Sequence, residues 1–500
     1  MKPALTSLVL LLTAVSISLG GSSVSNDQVV LLPVKNDPTV SFRILFNAGS
    51  QQDPAGKEGL CSITASMLTD AATTRNTYEQ VLEKLYPLAA GYSASVSVEQ
   101  TVIIGRVHND NMKEYYPLLM DALLHPAFRQ DDLDRIKSQT LNYLENTLRY
   151  SSDEELGKAV LYASVFEGSG YGHLTDGLVS AVRSITLDDV RGFYGSHFTA
   201  GNVVVGVGGG YDEALLRQIA NDLGSLPAGA PPAAPRPAPK ARQGLHVVMV
   251  EKDAPATAIS MGFPLDILRG QADWYPLALA TSWLGEHRNS SSHLYQVIRE
   301  ARGLNYGDYA YIENYPNGGQ RSMPPQNVGR RMQLFEMWIR PVPNETRQFA
   351  LRAGLREFAR LVRDGMTRND FELTRSFLEK YVLQFAPTTL ERLGYALDDR
   401  FYGIRGSHLE NYRTALRTMT LADVNAAIRK HWQYGTMQIA IVTKDAKAFK
   451  DALVNDSPSP ITYKTPKPQT VMDEDKEIAA FPVKVKAEDV EIVKVEELFK

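Results

Sequence analysis

Five hundred residues suit roughly two to four domains, each with its own core. A formal charge of -4 argues against a nucleic-acid surface, which needs a basic excess. The single cysteine, Cys61, excludes an internal disulfide framework and a cysteine-built zinc site.

Residues 1–20 read as a secretory signal peptide. Lys2 supplies the positive start, residues 8–17 the apolar run, and Ser18-Leu19-Gly20 a small-residue cleavage site. The run is short for a bilayer span and no later stretch is long enough, so no stable membrane insertion is expected. A retained N-terminal anchor is the alternative. The mature chain is expected to be exported and periplasmic.

Residues 29–34 and 40–46 are expected to be paired strands. Val40, Phe42, Ile44 and Phe46 alternate with Ser41, Arg43 and Leu45, and Asn36-Asp37-Pro38 supplies the turn. Asn47-Ala48-Gly49-Ser50 and Gly59-Leu60 lead into a helix that carries Cys61, Ser62, Ala65 and Ser66. Cys61 is read as a small buried helix residue, with a reactive thiol as the alternative. Residues 131–148 carry the helical stripe Leu133, Ile136, Leu141, Leu144 and Leu148.

Thr186-Leu187-Asp188-Asp189 opens a further helix with a capping box. A buried strand over 203–207 follows, and Gly208-Gly209-Gly210 is expected to be the turn that ends it. These glycines lack the lysine and hydroxyl of a phosphate loop. Residues 227–240 hold six prolines among alanines and read as a semi-rigid linker.

Residues 294–306 are the most informative stretch. Leu294, Val297, Ile298 and Ala301 recur at helical spacing, and Gly303 stands where a helix would end in the left-handed conformation. Residues 305–312, rich in tyrosine, are expected to be a strand. Arg299 then lies on the helix and Tyr306 at the mouth of the strand. They read either as a solvated helix residue and a half-buried strand residue, or as a guanidinium and a phenol that hold a peptide carbonyl.

The second half repeats the first, without a gap from residue 186 to residue 207. Thr186-Leu187 meets Thr420-Leu421, His197-Phe198 meets His431-Trp432, and residues 203–207 meet 437–441. Likewise Asp132-Leu133-Asp134 resembles Asp370-Phe371-Glu372 at the start of a long helix. This implies tandem duplication of one α+β unit. It also makes His197 and His431 packing or capping residues rather than ligands. After residue 455 a tail begins, and its last part, 481–495, alternates like an edge strand.

The stretch Leu294 to Tyr306 resembles the Arg/Tyr signature of the pitrilysin/insulinase-type zinc peptidases, the inverted zincins. The resemblance runs from about Val29 to Leu453. It implies an α+β fold of two tandem homologous domains, each a mostly antiparallel sheet with helices packed on it, together forming one clam-like half. The expected boundaries are 28–226 and 244–455, with a linker at 227–243 and a tail at 456–500. The resemblance gives Arg299 and Tyr306 catalytic and substrate-binding roles.

In active members Gly-Leu leads into His-x-x-Glu-His, two zinc ligands and the base that activates water. Here the ligand positions hold Ser62 and Ser66, and the base position holds Ala65. The third ligand, a glutamate on a later helix, falls at Asn142 or Tyr143, with Glu145 displaced along the helix. Serine is a poor zinc ligand and alanine cannot take a proton. Residues 88–107 resemble the family's peptide-binding edge strand, but its usual asparagine is Ser93 here. Tyr171-Gly172-His173 also resembles the family, with His173 a loop residue.

The resemblance therefore implies a non-metal subunit that binds no cofactor itself, with zinc in a homologous His-x-x-Glu-His partner and a peptide enclosed between them. A peptide-binding or scaffold protein of the same fold is the alternative. A peptidase working alone with unusual ligands is the third reading.

Overall fold

The computed structural model describes residues 25–230, 233 and 236–500. The signal-peptide reading of residues 1–20 lies outside them, as do residues 231, 232, 234 and 235 of the expected linker. No helix among the described residues is long and apolar enough to cross a membrane.

Two sheets organise the chain. The first uses β1 (Val29–Pro33), β2 (Thr39–Phe46), β3 (Gly91–Val96), β4 (Thr101–His108) and β5 (Val203–Gly209), in the order β1-β5-β2-β4-β3. The second uses β6 (His246–Glu251), β7 (Ala256–Leu265), β8 (Asp308–Tyr311), β9 (Gln333–Pro343), β10 (Gln438–Thr443) and β11 (Val490–Lys494), in the order β11-β6-β10-β7-β9-β8. Without β11 the two orders are the same. The pairings correspond too: β1 is parallel to β5 as β6 is to β10, and the other common pairs are antiparallel. The chain is thus an α+β protein of two tandem domains with one topology, which the gapless repeat implies. The tail contributes β11, which lies parallel to the edge of β6.

Two local expectations are corrected. β1 and β2 do not pair, because β5 enters between them and bonds to both. A turn after Asn36 fits a hairpin locally, but the place beside both strands goes to β5, all seven of whose residues are buried. The strand also does not stop at Gly208. It runs to Gly209, and Gly206 and Gly208 make room for a helix crossing the sheet.

That helix, Thr389–Tyr402, belongs to the second half, yet it packs on β1, β2 and β5 of the first sheet. A Cβ on Gly206 would stand 3.1 Å from Leu393 Cδ1 and 3.2 Å from Leu397 Cδ1. The exchange is reciprocal: helix Asp153–Val165 of the first half packs on β7 and β10 of the second sheet. There the small residue is on the helix, with Gly157 facing Ser260 and Val442. Both faces of β10 are consequently buried. Ile439 and Ile441 enter the core of the second half, while Ala440 and Val442 join the first core beside Leu156 and Val160. Burial on both faces explains why 203–207 and 439–442 read as continuous apolar runs.

Local signals were kept at the helix starts. Thr186 and Thr420 both form capping boxes, accepting from the N–H of Asp189 and Asp423 and bonding their carboxylates.

Candidate functional site

The Arg/Tyr stretch begins on a helix whose Tyr295–Glu300 segment has wide, five-residue hydrogen-bonded turns. Such segments recur at functional sites. Val297 and Ile298 are buried, which turns Arg299 and Glu300 outward. Gly303 ends the helix at φ +71°, and its N–H donates to Arg299 O at 2.7 Å. The left-handed angle favours glycine at this position.

The strand starts later than 305, which corrects the expected 305–312. Asn305 organises a turn instead: its Nδ2 donates to Asp308 Oδ1 at 2.7 Å and to Arg340 O at 3.1 Å, and its Oδ1 accepts from Gly307 N. Tyr306 therefore sits at the tip of a turn ahead of β8, not within the strand. It is 80% exposed. No described residue bonds its phenol. Arg299 is half-exposed, 3.0 Å from Glu300 and 5.7 Å above the Tyr295 ring. Neither side chain is buried in a core, and among the described residues no contact joins the two.

The helix expected to carry the degenerate metal motif, Leu60–Thr69, is arranged quite differently. Asp53, unremarked in the sequence, accepts from the N–H groups of Gly59 and Cys61 at 2.7 Å each and so fixes the helix start. Ser62 Oγ donates to Thr175 O at 2.7 Å, and Ala65 is sealed in the core. Ser66 is half-buried and its carbonyl accepts from Asp70 N. Asn142 is exposed and accepts from the Asn146 amide at 2.9 Å; Glu145 pairs with Arg183 at 2.8 Å. These donors point to other partners and their chemistry does not fit zinc. Among the described residues, no three His, Cys, Asp or Glu side chains could hold a metal ion.

Cys61 is buried against Thr101, and burial followed by the nearby Asp53 charge pushes its thiol well above its ordinary value. His197 stacks on Phe193 at 4.0 Å, and His431 bonds Asp273 at 2.8 Å. His173 stays in its loop, with Nδ1 2.8 Å from Leu174 O.

β3 is the free edge of the first sheet and lies over the degenerate helix. Its C-terminal end opens into a cavity of about 200 Å³ between the halves, lined among others by Ser95, Tyr143, Thr175, Lys158 and Arg330. Glu99 and Gln100 lie in the connection between β3 and β4, beyond the edge strand. Both are buried under the β8–β9 connection: Glu99 pairs with Arg331, and Gln100 Oε1 accepts from Gly329 N at 3.2 Å.

Residues 28–168 match the description "Insulinase (Peptidase family M16)" and residues 184–378 match "Peptidase M16 inactive domain". An uncharacterised zinc protease of Bacillus subtilis, YmxG, is 20% identical over 408 residues, 80% of this chain and 93% of the relative. One of Rickettsia bellii is 22% identical over 62% of this chain and 73% of the relative. A crystal structure of a peptidase M16 inactive domain from Pseudomonas fluorescens shares the fold with a TM-score of 0.73 at 23% identity, over 83% of this chain and 95% of that one. A Helicobacter pylori protease does so with a TM-score of 0.71 at 15% identity, over 85% and 98%. With both halves matched and the duplicated two-sheet architecture shared, this chain belongs to the insulinase (M16) peptidase family.

Proposed function

We propose that this chain is the non-metal subunit of an exported zinc metallopeptidase, lending Arg299 and Tyr306 to a homologous His-x-x-Glu-His partner. One observation supports the reading: the Arg/Tyr turn is turned to solvent, while Ser62, Ala65, Ser66 and Asn142 stand where the family resemblance puts the metal ligands and base. A side chain retained at a turn tip without an internal partner is available to something outside the chain.

The chemistry suits both residues. As a peptide carbonyl is attacked, negative charge grows on its oxygen. The Tyr306 phenol donates a hydrogen bond there, and the Arg299 guanidinium holds a neighbouring carbonyl or carboxylate of the peptide. The partner supplies metal and nucleophile. Export rests on Lys2 and the apolar residues 8–17. N-terminal sequencing of the protein from a periplasmic fraction checks it; an intact Met1 in cytosol refutes it.

Peptide cleavage by the reconstituted pair is the deciding experiment. Tyr306→Phe is expected to fold and pair normally but to lower turnover about 100- to 1,000-fold, the usual cost of one such donor. Arg299→Ala is expected mainly to raise KM. Wild-type cleavage in both variants would overturn the reading. It would favour a peptide-binding scaffold, for which the free β3 edge is the supporting observation.

A further inference from the structure

Arg299 and Tyr306 have few contacts of their own, so their direction depends on how firmly the backbone from 297 to 307 is held. Four residues before Tyr306 stands Arg302, whose side chain is 0% exposed. Its guanidinium uses every nitrogen. Nη1 donates to Val297 O at 2.7 Å, closing the helix end within the stretch. Nε donates to Asp475 Oδ1 and Nη2 to Glu474 Oε2, each at 2.8 Å. Both carboxylates lie on helix Gln469–Ala479 of the C-terminal tail.

The tail helix is itself well anchored. It packs on helix Arg347–Asp364, with Ile478 fully buried. Tyr463 donates to Asp475 Oδ2 at 2.8 Å, and Arg356 donates to Glu474 Oε1 at 3.1 Å. Farther on, the chain forms β11 and then reaches the first half, where Val179 N donates to Phe499 O at 2.9 Å and Arg149 bonds Leu498 O. A loosely wound helix end is thus pinned by a buried, charge-assisted fork from an element that is itself tied down at two places.

We propose that the C-terminal tail is a positioning clamp for the Arg/Tyr turn, with Arg302 as the positioning residue and Glu474 and Asp475 as its anchor. This rests on the reading of Arg299 and Tyr306 as substrate-facing. The clamp sets where those side chains point; it touches no substrate. It also gives the residues beyond 455 a role that the motif alone does not reveal.

The test uses the full chain and two variants, Arg302→Met and the double Glu474→Gln/Asp475→Asn. Lys476→Met, on the exposed face of the same helix, is the control. Amide hydrogen exchange is read peptide by peptide, and cleavage by the reconstituted pair is read as kcat and KM. Both clamp variants are expected to speed exchange in residues 300–307 at least about 10-fold while the β6, β7 and β10 amides stay protected. In the pair they are expected to lower kcat without loss of partner binding, and the control is expected to match wild type. The conservative Arg302→Lys is expected to restore part of the protection. Exchange at 300–307 within twofold of wild type in both variants overturns the clamp. So does a rise spread evenly over the second sheet, which marks general loosening. Selective loosening together with wild-type cleavage by Tyr306→Phe upholds the clamp and overturns the site reading instead.

Discussion

At the scale of single residues, burial has separated this chain's polar groups into those that serve the fold and those left outside. His287 is of the first kind. It is 3% exposed, with Nδ1 against the Tyr311 hydroxyl and Nε2 2.9 Å from Arg321 O and 3.2 Å from Arg288 Nε. Tyr309, Tyr315, Arg288 and Lys158 surround it. Burial is the main cause that pushes its pKa down to about 4, against 6.5 in the unfolded chain. Between these values the unfolded chain binds a proton that the folded one refuses. Stability from His287 is therefore complete above pH 6.5 and is lost as pH falls toward 4. Thermal unfolding in matched buffers is expected to show His287→Gln with a flatter decline than wild type over that window. Equal slopes would mean that the ring is protonated in the fold. Tyr306 is the opposite kind, a large aromatic at 80% exposure, which packing alone does not explain.

At the scale of elements, the two exchanged helices solve one packing problem in two ways. On the first sheet the strand is thin and the helix is large: Gly206 and Gly208 lie under Leu393 and Thr389. On the second the helix is thin, with Gly157 against Ser260 and Val442. Volume at these contacts is set jointly. Gly206→Val forces methyl groups into Leu393 and Leu397 and is expected to cost about 1–3 kcal/mol. Leu393→Ala leaves a cavity and is expected to cost about 2–5 kcal/mol. The double variant is expected to be less destabilised than the sum, because each change relieves the other. Denaturant unfolding measures all three, and strict additivity would place the contact elsewhere.

At the scale of the whole molecule, the exchange makes the halves interdependent. Each sheet has one face covered by a helix from the other half, and the β8–β9 connection adds Arg331–Glu99 and a bond from Arg43 Nη1 to Asn327 Oδ1 of 2.7 Å. A half expressed alone uncovers an apolar sheet face and a helix without its seat, which is an aggregation hazard. Residues 25–230 and 236–500 produced separately are expected to be insoluble or loosely folded, and co-expression is expected to recover a 1:1 complex. Two cooperatively folded, soluble halves would refute this.

What was legible in the sequence was what neighbours in the chain decide. The helix end at Gly303, the capping boxes at Thr186 and Thr420, and the match of 203–207 to 437–441 all rest on residues a few positions apart. The Arg/Tyr signature survived for the same reason, being one helix end and one turn. The tertiary structure decided the rest. Nothing near residue 29 announces that β5 will slot between β1 and β2, because that choice is made by a strand far along the chain. Gly208 looks like the start of a turn until Thr389 and Leu393 arrive above it. No local pattern marks Arg302, and only the folded chain brings Asp475, 173 positions away, to its guanidinium. Long-range contacts of this kind carry no periodicity and leave no local signal. They are chosen by complementary volume and charge once the chain has closed on itself.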